Sequence, residues 1–224
     1  MSFSENLNNV CVVIPVFNEV DYLDDLLWRI TPYSSKIICV DDGSTDGSGE
    51  LMKANTNIEL ISHGKNRGKG YALKTGLMKS LEFDCDIVIT MDADLQHLPE
   101  DIPRLAEQTK NYDIVIGNRL HELSKMPLHR IASNKLTSWL LSKKLDVSIK
   151  DSQSGFRAFR KSIVKSILPF EVGFEAETEM LIKAVRNNFT IGFVDIKTIY
   201  NDNESKMKSI PAITGFLKVL FRNK

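Results

Sequence analysis

The stretch VCVVIPVFNEVDYLDDLLWRITPYSSKIICVDDGSTD, residues 10–46, contains a complete strand–helix–strand pattern. Residues 10–14 and 36–40 are short apolar runs rich in Val and Ile, which predicts two buried strands. Residues 20–30 lie between them and have an apolar face at helical spacing, formed by Leu23, Leu26, Leu27 and Ile30. A strand, a crossover helix and a second strand predict two parallel strands of one sheet.

The same alternation continues beyond residue 46. Further strands are predicted at residues 58–61, 86–90 and 113–116, and helices at residues 71–81 and 99–110. After Gly117 the rhythm changes, with helices predicted at residues 130–145, 175–187 and 210–221 and strands at residues 155–159 and 190–196. The pattern predicts an α/β fold, a mostly parallel sheet flanked by helices. Ligands of such a sheet lie at the carboxyl ends of its strands.

The composition is that of an ordinary globular protein. The chain has 224 residues, of which 42% are hydrophobic and 26% charged, and this fits one domain. Its 29 basic and 29 acidic residues give a formal net charge of zero, so we expect no nucleic-acid partner, since general nucleic-acid binders are usually basic. Cys11, Cys39 and Cys85 each lie in or beside an apolar run, which predicts reduced core cysteines.

The chain carries no evident targeting segment. Its polar N-terminus lacks a signal-peptide pattern. No apolar run approaches the roughly 20 residues that a membrane helix needs. We therefore expect a protein of the cytoplasm or of the cytoplasmic face of the membrane.

Three of the predicted strands end in acidic residues. The first is followed by Glu19, the second by Asp41 and Asp42, and the fourth by Asp92 and Asp94. Carboxylates crowded at one edge of a sheet repel each other unless a positive group joins them. Magnesium and manganese prefer oxygen ligands and are often bound by one or two carboxylates plus substrate phosphates. A divalent metal site is therefore predicted at Asp92 and Asp94, with the amide oxygen of Gln96 as a third ligand.

Two glycine-containing segments allow more than one interpretation. Residues 41–47, DDGSTDG, suit a strand-to-helix turn with Asp46 as the N-cap, in which a spare carboxylate could bind a base or a ribose. Residues 64–70, GKNRGKG, are either a solvated helix start or a contact to a diphosphate through Lys69. Neither segment matches a dinucleotide fingerprint or a Walker A motif.

The remaining catalytic signatures are missing from the sequence. The four histidines, at positions 63, 97, 121 and 129, form no metalloprotease motif. We expect each of them at the surface rather than in a metal site. A nucleophile elbow is not found either.

Taken together, these motifs resemble the family 2 glycosyltransferases of GT-A fold, and most closely the dolichyl-phosphate mannosyltransferase and polyprenyl-phosphate sugar transferase branch. The resemblance runs from residue 12 to about residue 181. The segments that carry it are VVIPVFNE, VDDGSTD, NRGKGYALKTG, MDADLQHLPE, GNR, DSQSGFRAF and FEAETEML. It implies a GT-A domain over residues 1–200, followed at residues 201–224 by a mobile Ser-Lys loop and a basic amphipathic helix.

The resemblance also implies roles for individual residues. Binding of the nucleotide donor would fall to Pro15, Phe17, Glu19, Asp42, Lys69, Asp92 and Ala93. The ligands of Mg²⁺ or Mn²⁺ would be Asp92, Asp94 and Gln96. The catalytic groups would be Asp94, Arg119 and Lys206. The acceptor would contact Arg130, Ser133, Gln153, Gly155 and Phe156.

The sequence departs from this branch near its C-terminus. Tyr200 and Asn203 stand where the mannosyltransferases usually have Arg and Gly before Lys206. One expected phosphate contact is missing, which argues against GDP-mannose as the donor. The Gln-x-x-Arg-Trp motif of processive polysaccharide synthases is absent too, which argues against a polymerase.

The expected reaction is an inverting, metal-dependent transfer of a sugar from a nucleotide-diphosphate sugar to a polyprenyl phosphate. Three alternatives stay open: transfer to a saccharide with Asp151 or Glu175 as general base, a nucleotidyltransferase, and a non-catalytic nucleotide-sugar binder. A lipid acceptor requires contact with a membrane surface. The basic C-terminal helix could lie on that surface or pack on the core.

Overall fold

The computed structural model describes residues 9–121, 126–199 and 209–222. Within these ranges the seven strands are β1 (Val10–Val16), β2 (Lys36–Asp41), β3 (Ile58–Ser62), β4 (Ile87–Thr90), β5 (Ile114–Asn118), β6 (Arg157–Arg160) and β7 (Ile191–Asp195). The eight α-helices of the described residues are α1 (Val20–Ile30), α2 (Ser48–Ala54), α3 (Lys69–Ser80), α4 (Ile102–Gln108), α5 (Leu128–Leu145), α6 (Lys161–Ile167), α7 (Ala176–Arg186) and α8 (Ser209–Arg222). Short 3₁₀ turns at Thr31–Tyr33 and Pro99–Asp101 follow α1 and precede α4.

The strands form one sheet in the order β3-β2-β1-β4-β6-β5-β7. Strands β1 to β4 are parallel, and β5 is parallel to β7. Only β6 of the described strands is reversed, since it is antiparallel to both β4 and β5. The predicted mostly parallel sheet is confirmed. The reversed strand was not predicted, because its orientation depends on pairing with strands that are distant in sequence.

Helices cover both faces of the sheet. The core on one face includes buried side chains of α1, α2 and α4, and the core on the other face includes side chains of α3, α5, α6, α7 and α8. All three cysteines are buried and unpaired, as expected. Burial on both sides explains why the central strands are continuous apolar runs rather than alternating ones.

Most predicted elements are present with small shifts at their ends. Helix α1 has the predicted bounds, whereas α3 begins at Lys69, two residues before the predicted start. The predicted helix over residues 99–110 is a 3₁₀ turn followed by α4. Helices α2 and α6 were not predicted, because seven residues are too few to show a clear periodicity.

The C-terminal helix α8 packs onto the domain. Phe216, Val219 and Leu220 are buried in the second core, while Leu217 and Phe221 are exposed. Part of the apolar face that the sequence offered to a membrane, Phe216 and Leu220, is thus used inside the protein. Among the described residues, no helix is both long enough and apolar enough to span a bilayer.

The contact between α3 and the sheet leaves no room for a side chain at Gly76. An added Cβ would lie 2.3 Å from Cγ1 of Val13 and 3.1 Å from Cγ2 of Val40. We expect Gly76→Ala to lower the free energy of unfolding by about 1–2 kcal/mol, because overpacking outweighs the better helix propensity of alanine. Urea unfolding measures this. Gly64→Ala, where an added Cβ meets no atom within 4 Å, is the control, and equal stability of the two variants would contradict the prediction.

Candidate active site

The sheet order brings the acidic strand ends together. Strand β1 lies between β2 and β4, and all three run in the same direction. Their carboxyl ends therefore place Glu19, Asp42 and Asp92 at one edge of the sheet. This is the edge at which open α/β sheets bind their ligands.

An ammonium group pairs with the first aspartate of the Asp-x-Asp motif. Lys69 Nζ lies 2.7 Å from Oδ1 of Asp92 and 3.0 Å from Oε1 of Glu177. Burial acts to lower the pKa of Lys69, but the two carboxylates outweigh it and the net pKa is raised. Burial acts to raise the pKa of Asp92, but chiefly the charge of Lys69 outweighs it and the net pKa is lowered. Lys69 and Asp92 are therefore both charged at neutral pH.

The second aspartate of the motif lacks such a partner. Asp94 forms no ion pair within the described ranges, and burial followed by the charge of Asp92 raises its pKa. The backbone N–H of Gln96 donates to Asp94 Oδ1 over 3.1 Å, which fixes the turn. Leu95, between them, has a left-handed backbone with φ of 53°. The turn thus holds a carboxylate close to another negative charge.

The charge of this cluster fits a divalent cation. Three carboxylates (Asp92, Asp94 and Glu177) outnumber the two cations beside them, which are the ammonium of Lys69 and the buried guanidinium of Arg157. In the part of the chain that the structure describes, no three His, Cys, Asp or Glu side chains are grouped so that they could hold a metal ion. A cation held by Asp92 and Asp94 would need further oxygen ligands, which is the usual way that protein and substrate phosphates share Mg²⁺.

Gly155 makes room for Asp92. A Cβ added to Gly155 would lie 2.6 Å from Oδ2 and 2.9 Å from Oδ1 of Asp92, so any larger residue would displace the carboxylate. The carbonyl of Gly155 accepts the hydroxyl of Thr90, at the end of β4, over 2.9 Å. The segment that precedes β6 is therefore fitted against the segment that follows β4.

The glycine-rich segment does not form a phosphate cradle. The N–H groups of Arg67 and Gly68 donate to the carboxylate of Asp42, and that of Gly70 donates to the carbonyl of Val172. A Cβ added at Gly68 would lie 2.4 Å from the carbonyl oxygen of Val172, and one added at Gly70 would lie 2.6 Å from Cβ of Ala176. These glycines let the start of α3 approach the start of α7, which brings Lys69 to Glu177. Since these three N–H groups are used inside the protein, a contact between this segment and a diphosphate stays a prediction for side chains such as that of Lys69.

Asp42 is buried and is not a spare carboxylate. It accepts hydrogen bonds from the backbone N–H groups of Arg67 and Gly68 and contacts Nδ1 of His63 at 2.7 Å. In this structure it holds the start of α3 against the end of β2. A contact between Asp42 and the nucleotide, as predicted from the sequence, would have to be made in addition to these hydrogen bonds.

The turn after β2 also differs from the predicted cap. The N-cap residue of α2 is Gly47 rather than Asp46. Asp46 nevertheless accepts the N–H of Ser48, the first residue of α2, and that of Val20, the first residue of α1. One carboxylate therefore stabilises two helix starts, which both favour negative charge.

Arg119 and Asp151 form a buried ion pair. Nε of Arg119 donates to Oδ2 of Asp151 over 2.8 Å, and an Nη donates to Oδ1 over 3.0 Å. Asp151 is 0% exposed; burial acts to raise its pKa, but Arg119 outweighs this and the pKa is lowered. A carboxylate held ionised in a bidentate pair is a weak general base, so the structure argues against Asp151 in that role.

The residues predicted for the acceptor side have different environments. Phe156 is 0% exposed, and its ring packs on His97 with centroids 5.6 Å apart, so its role on the acceptor side stays a prediction. The side-chain amide of Gln153 donates to Thr137 of α5 over 3.1 Å. Arg130 and Ser133 lie on the first turns of α5 and are half-buried.

The histidines include two that are not at the surface, contrary to expectation. His97 is 2% exposed, and burial, followed by the charge of Arg119, lowers its pKa to about 4. The side chain of His63 is 7% exposed and contacts Asp42. His121 is exposed as expected, and the side chain of His129 lies outside the described part.

Other predicted donor residues lie along the same edge. Pro15, Phe17 and Glu19 are half-buried at or after the end of β1, and Ala93 is buried. Lys206 lies outside the described residues. The sequence offered Glu177 only as a further carboxylate, and its pairing with Lys69 was missed, because that pairing depends on the contact between α3 and α7.

Comparisons with known proteins identify the family of the chain. The model of the family described as "Glycosyl transferase family 2" matches residues 11–168. The UDP-N-acetylglucosamine–dolichyl-phosphate N-acetylglucosaminyltransferase of Methanococcus voltae is 33% identical in an alignment 238 positions long, which covers 95% of this chain and 94% of that protein. The dolichol-phosphate mannosyltransferase of Pyrococcus furiosus is 33% identical in an alignment 231 positions long, which covers 95% of this chain and 63% of that protein.

A solved structure shares the fold. Glucosyl-3-phosphoglycerate synthase from Mycobacterium tuberculosis, in complex with Mn²⁺, uridine diphosphate and glucosyl-3-phosphoglycerate, matches with a TM-score of 0.72. The sequence identity is 20%, and the match covers 98% of this chain and 82% of that chain. This likeness confirms the fold class predicted from the sequence.

The buried pair of Arg119 and Asp151 should make a measurable contribution to stability. At pH 7, Asp151→Asn leaves an uncompensated buried charge, and we expect the free energy of unfolding to fall by about 3 kcal/mol. The folded pKa of Asp151 lies below its ordinary value of 3.8. The contribution of Asp151 to the free energy of unfolding is therefore fully present above pH 3.8, and it is lost as the pH falls through the lower folded pKa.

Urea unfolding of the wild type and of D151N between pH 7 and pH 3 checks this. The difference between the two proteins should shrink at the acid end. Asp84→Asn, at an exposed position, should change stability by no more than about 0.5 kcal/mol. If D151N were as stable as the wild type at pH 7, the ion pair of Arg119 and Asp151 would not contribute to stability and the prediction would be wrong.

Proposed function

The chain belongs to glycosyl transferase family 2, and we propose that it transfers a sugar from a nucleotide-diphosphate sugar to the phosphate of a polyprenyl lipid. The reaction would be inverting and would depend on Mg²⁺ or Mn²⁺. The observation that carries the proposal is the cluster of Asp92, Asp94, Lys69 and Glu177, whose excess negative charge lies at the ligand edge of the sheet.

The names of the relatives support this substrate class. One is named for transfer from UDP-N-acetylglucosamine to dolichyl phosphate and another for dolichol-phosphate mannose formation. Proteins named for transfer to undecaprenyl phosphate are also similar, such as that of Proteus mirabilis, at 33% identity over 91% of this chain. A lipid phosphate is the acceptor that these names share. The sugar and the base differ among them, so the donor is proposed only as a nucleoside diphosphate sugar.

The donor side of the mechanism follows from the charged groups. Asp92 and Asp94, with Gln96, would hold the metal ion. A divalent cation bound there would neutralise negative charge that develops on the leaving diphosphate. Lys69 would donate a charge-assisted hydrogen bond to the diphosphate. Arg119, whose guanidinium is oriented by Asp151, is the second cation proposed to face the phosphates, and Lys206 is the third.

The acceptor side requires no general base in this chain. A phosphate monoester has its second pKa near 6, so it is largely dianionic at pH 7. Its oxygen can form the new bond to the anomeric carbon as the bond to the leaving diphosphate breaks, which inverts that carbon. Arg130 and Ser133, on the first turns of α5, are proposed to receive this phosphate.

A saccharide acceptor is less well supported by the structure. A sugar hydroxyl needs a carboxylate base, and the sequence offered Asp151 and Glu175. Asp151 is held ionised in a buried pair. The carboxylate of Glu175 lies against α8, since a Cβ added to Gly215 would be 2.9 Å from its Oε2.

Contact with a membrane surface is proposed through α5 as well as through α8. The exposed face of α5 carries Leu128, Leu136 and Trp139, and Lys135 and Lys143 lie beside them. Phe221 of α8 is 70% exposed, next to Lys144 of α5. Apolar side chains surrounded by lysines suit the surface of an anionic bilayer. Such contact would keep the protein on the cytoplasmic face of the membrane.

The transfer reaction can be tested with Asp94→Asn. This change keeps the shape of the side chain but removes a metal ligand, so we expect the transfer rate to fall on the order of 10²–10³-fold. Transfer from a panel of UDP and GDP sugars to polyprenyl phosphate is measured with Mg²⁺ or Mn²⁺ and after chelation. Asp84→Asn is the control, because Asp84 is exposed and precedes β4, whereas Asp92 and Asp94 follow the other end of that strand.

Each alternative function predicts a different outcome of that assay. Transfer to saccharides alone would replace the lipid acceptor, and release of pyrophosphate would indicate a nucleotidyltransferase. Donor binding without any turnover would indicate a binding protein. Each of these results would overturn the proposed function.

The membrane contact can be tested with the two tryptophans of the chain. Trp139→Glu places a negative charge on the exposed face of α5, so we expect at least a fivefold decrease in co-sedimentation with anionic vesicles, on the order of the cost of a charge at a lipid surface. Trp28→Glu is the matched control, since Trp28 of α1 is 77% exposed. Equal sedimentation of the two variants would remove α5 from the proposed membrane contact.

A further inference from the structure

Lys69 lies where it interferes with the metal site. Its ammonium is 2.7 Å from Asp92, a residue proposed to bind the divalent cation, and its side chain is only 18% exposed. Two cations held by one carboxylate lie roughly 5 Å apart, and at that distance their repulsion exceeds thermal energy even with solvent screening. Binding of a metal ion at Asp92 must therefore weaken or displace the contact with Lys69.

Glu177 determines where the ammonium sits. Its side chain is 7% exposed and lies 3.0 Å from Lys69 Nζ, on the side provided by α7. The two helices touch at this point, because Gly70 leaves no room for a Cβ against Ala176. Without Glu177, Lys69 would retain Asp92 as its one remaining carboxylate partner among the ion pairs of the described residues. Glu177 thus shares the ammonium with the metal ligand.

A nucleoside diphosphate changes this balance. Its phosphate oxygens offer the ammonium new acceptors, and their negative charge compensates the two cations together. The ammonium of Lys69 can then leave Asp92 without a loss of free energy, because the phosphate replaces its carboxylate partner. Metal ion and nucleotide would each increase the affinity for the other, as any two ligands coupled through a shared group must.

We propose that Lys69 is an internal competitor of the divalent cation for Asp92, positioned by Glu177, which makes tight metal binding depend on the nucleotide. The inference rests on the metal site of the proposed function. It adds a function for Glu177, which is a positioning residue because it acts through Lys69.

Binding of Mn²⁺, measured by titration calorimetry or by electron paramagnetic resonance of the free ion, tests the proposal without any turnover. In the absence of nucleotide, Lys69→Met should bind Mn²⁺ about tenfold more tightly than the wild type, because the competing cation is gone. Glu177→Gln should bind it severalfold more weakly, because the ammonium then rests on Asp92. Adding UDP or GDP should increase Mn²⁺ affinity by a smaller factor in K69M than in the wild type.

Two further variants separate this effect from a general change in charge. Lys79→Met removes a lysine from the last turn of the same helix, where it pairs with Glu59 and Glu82, and should leave Mn²⁺ affinity within about twofold because it lies roughly 15 Å along α3. Adding E177Q to K69M should weaken Mn²⁺ binding severalfold less than adding E177Q to the wild type does. Thermal unfolding of each variant verifies that it is folded.

The outcomes distinguish the two proposals. If the wild type takes up no Mn²⁺ even with a nucleoside diphosphate, the metal site of the proposed function fails. If the wild type binds Mn²⁺ and K69M binds it no more tightly than K79M, only the inference about Lys69 fails. If E177Q binds Mn²⁺ more tightly than the wild type, the assignment of Glu177 is overturned.

Discussion

The attraction between Lys69 and the carboxylates of Asp92 and Glu177 is the constraint around which the site is arranged. It joins the end of β4 to the starts of α3 and α7, which are far apart in sequence. Several glycines are needed for this meeting, because Gly68 and Gly70 let the two helices approach and Gly155 leaves space for Asp92. Asp42 supports the same arrangement from β2, since it accepts the N–H groups that precede α3. The charges of Lys69, Asp92 and Glu177 are tolerated here because each has a partner.

Much of the fold could be predicted from the sequence because its signals are local. The apolar runs of β1, β2 and β4 and the helical face of α1 need only a few neighbouring residues to be recognised. The location of Asp92 at the ligand edge also followed, since it comes directly after a buried strand of a parallel sheet. Short helices such as α2 and α6 were missed, because a run of seven residues does not show a reliable period.

The parts that could not be predicted depend on contacts between distant segments. The reversal of β6 arises from pairing with β4 and β5, and it brings Asp151 to Arg119 and Gly155 to Asp92. No spacing rule links Lys69 to Glu177, which are more than a hundred residues apart. The burial of His97 and Phe156 is of the same kind, since each residue is covered by elements that the local sequence does not identify. Sequence patterns therefore identified the acidic residues, but not the groups that compensate their charge.

The two tryptophans of the chain, Trp28 and Trp139, are 77% and 57% exposed, and neither belongs to a core cluster. Indole fluorescence of the native protein should therefore already be shifted toward the red, as in water. Denaturation will change that emission little, so circular dichroism is the better signal for following it. The same exposure makes Trp139 a built-in optical reporter, because its emission would shift toward the blue if lipid covered α5.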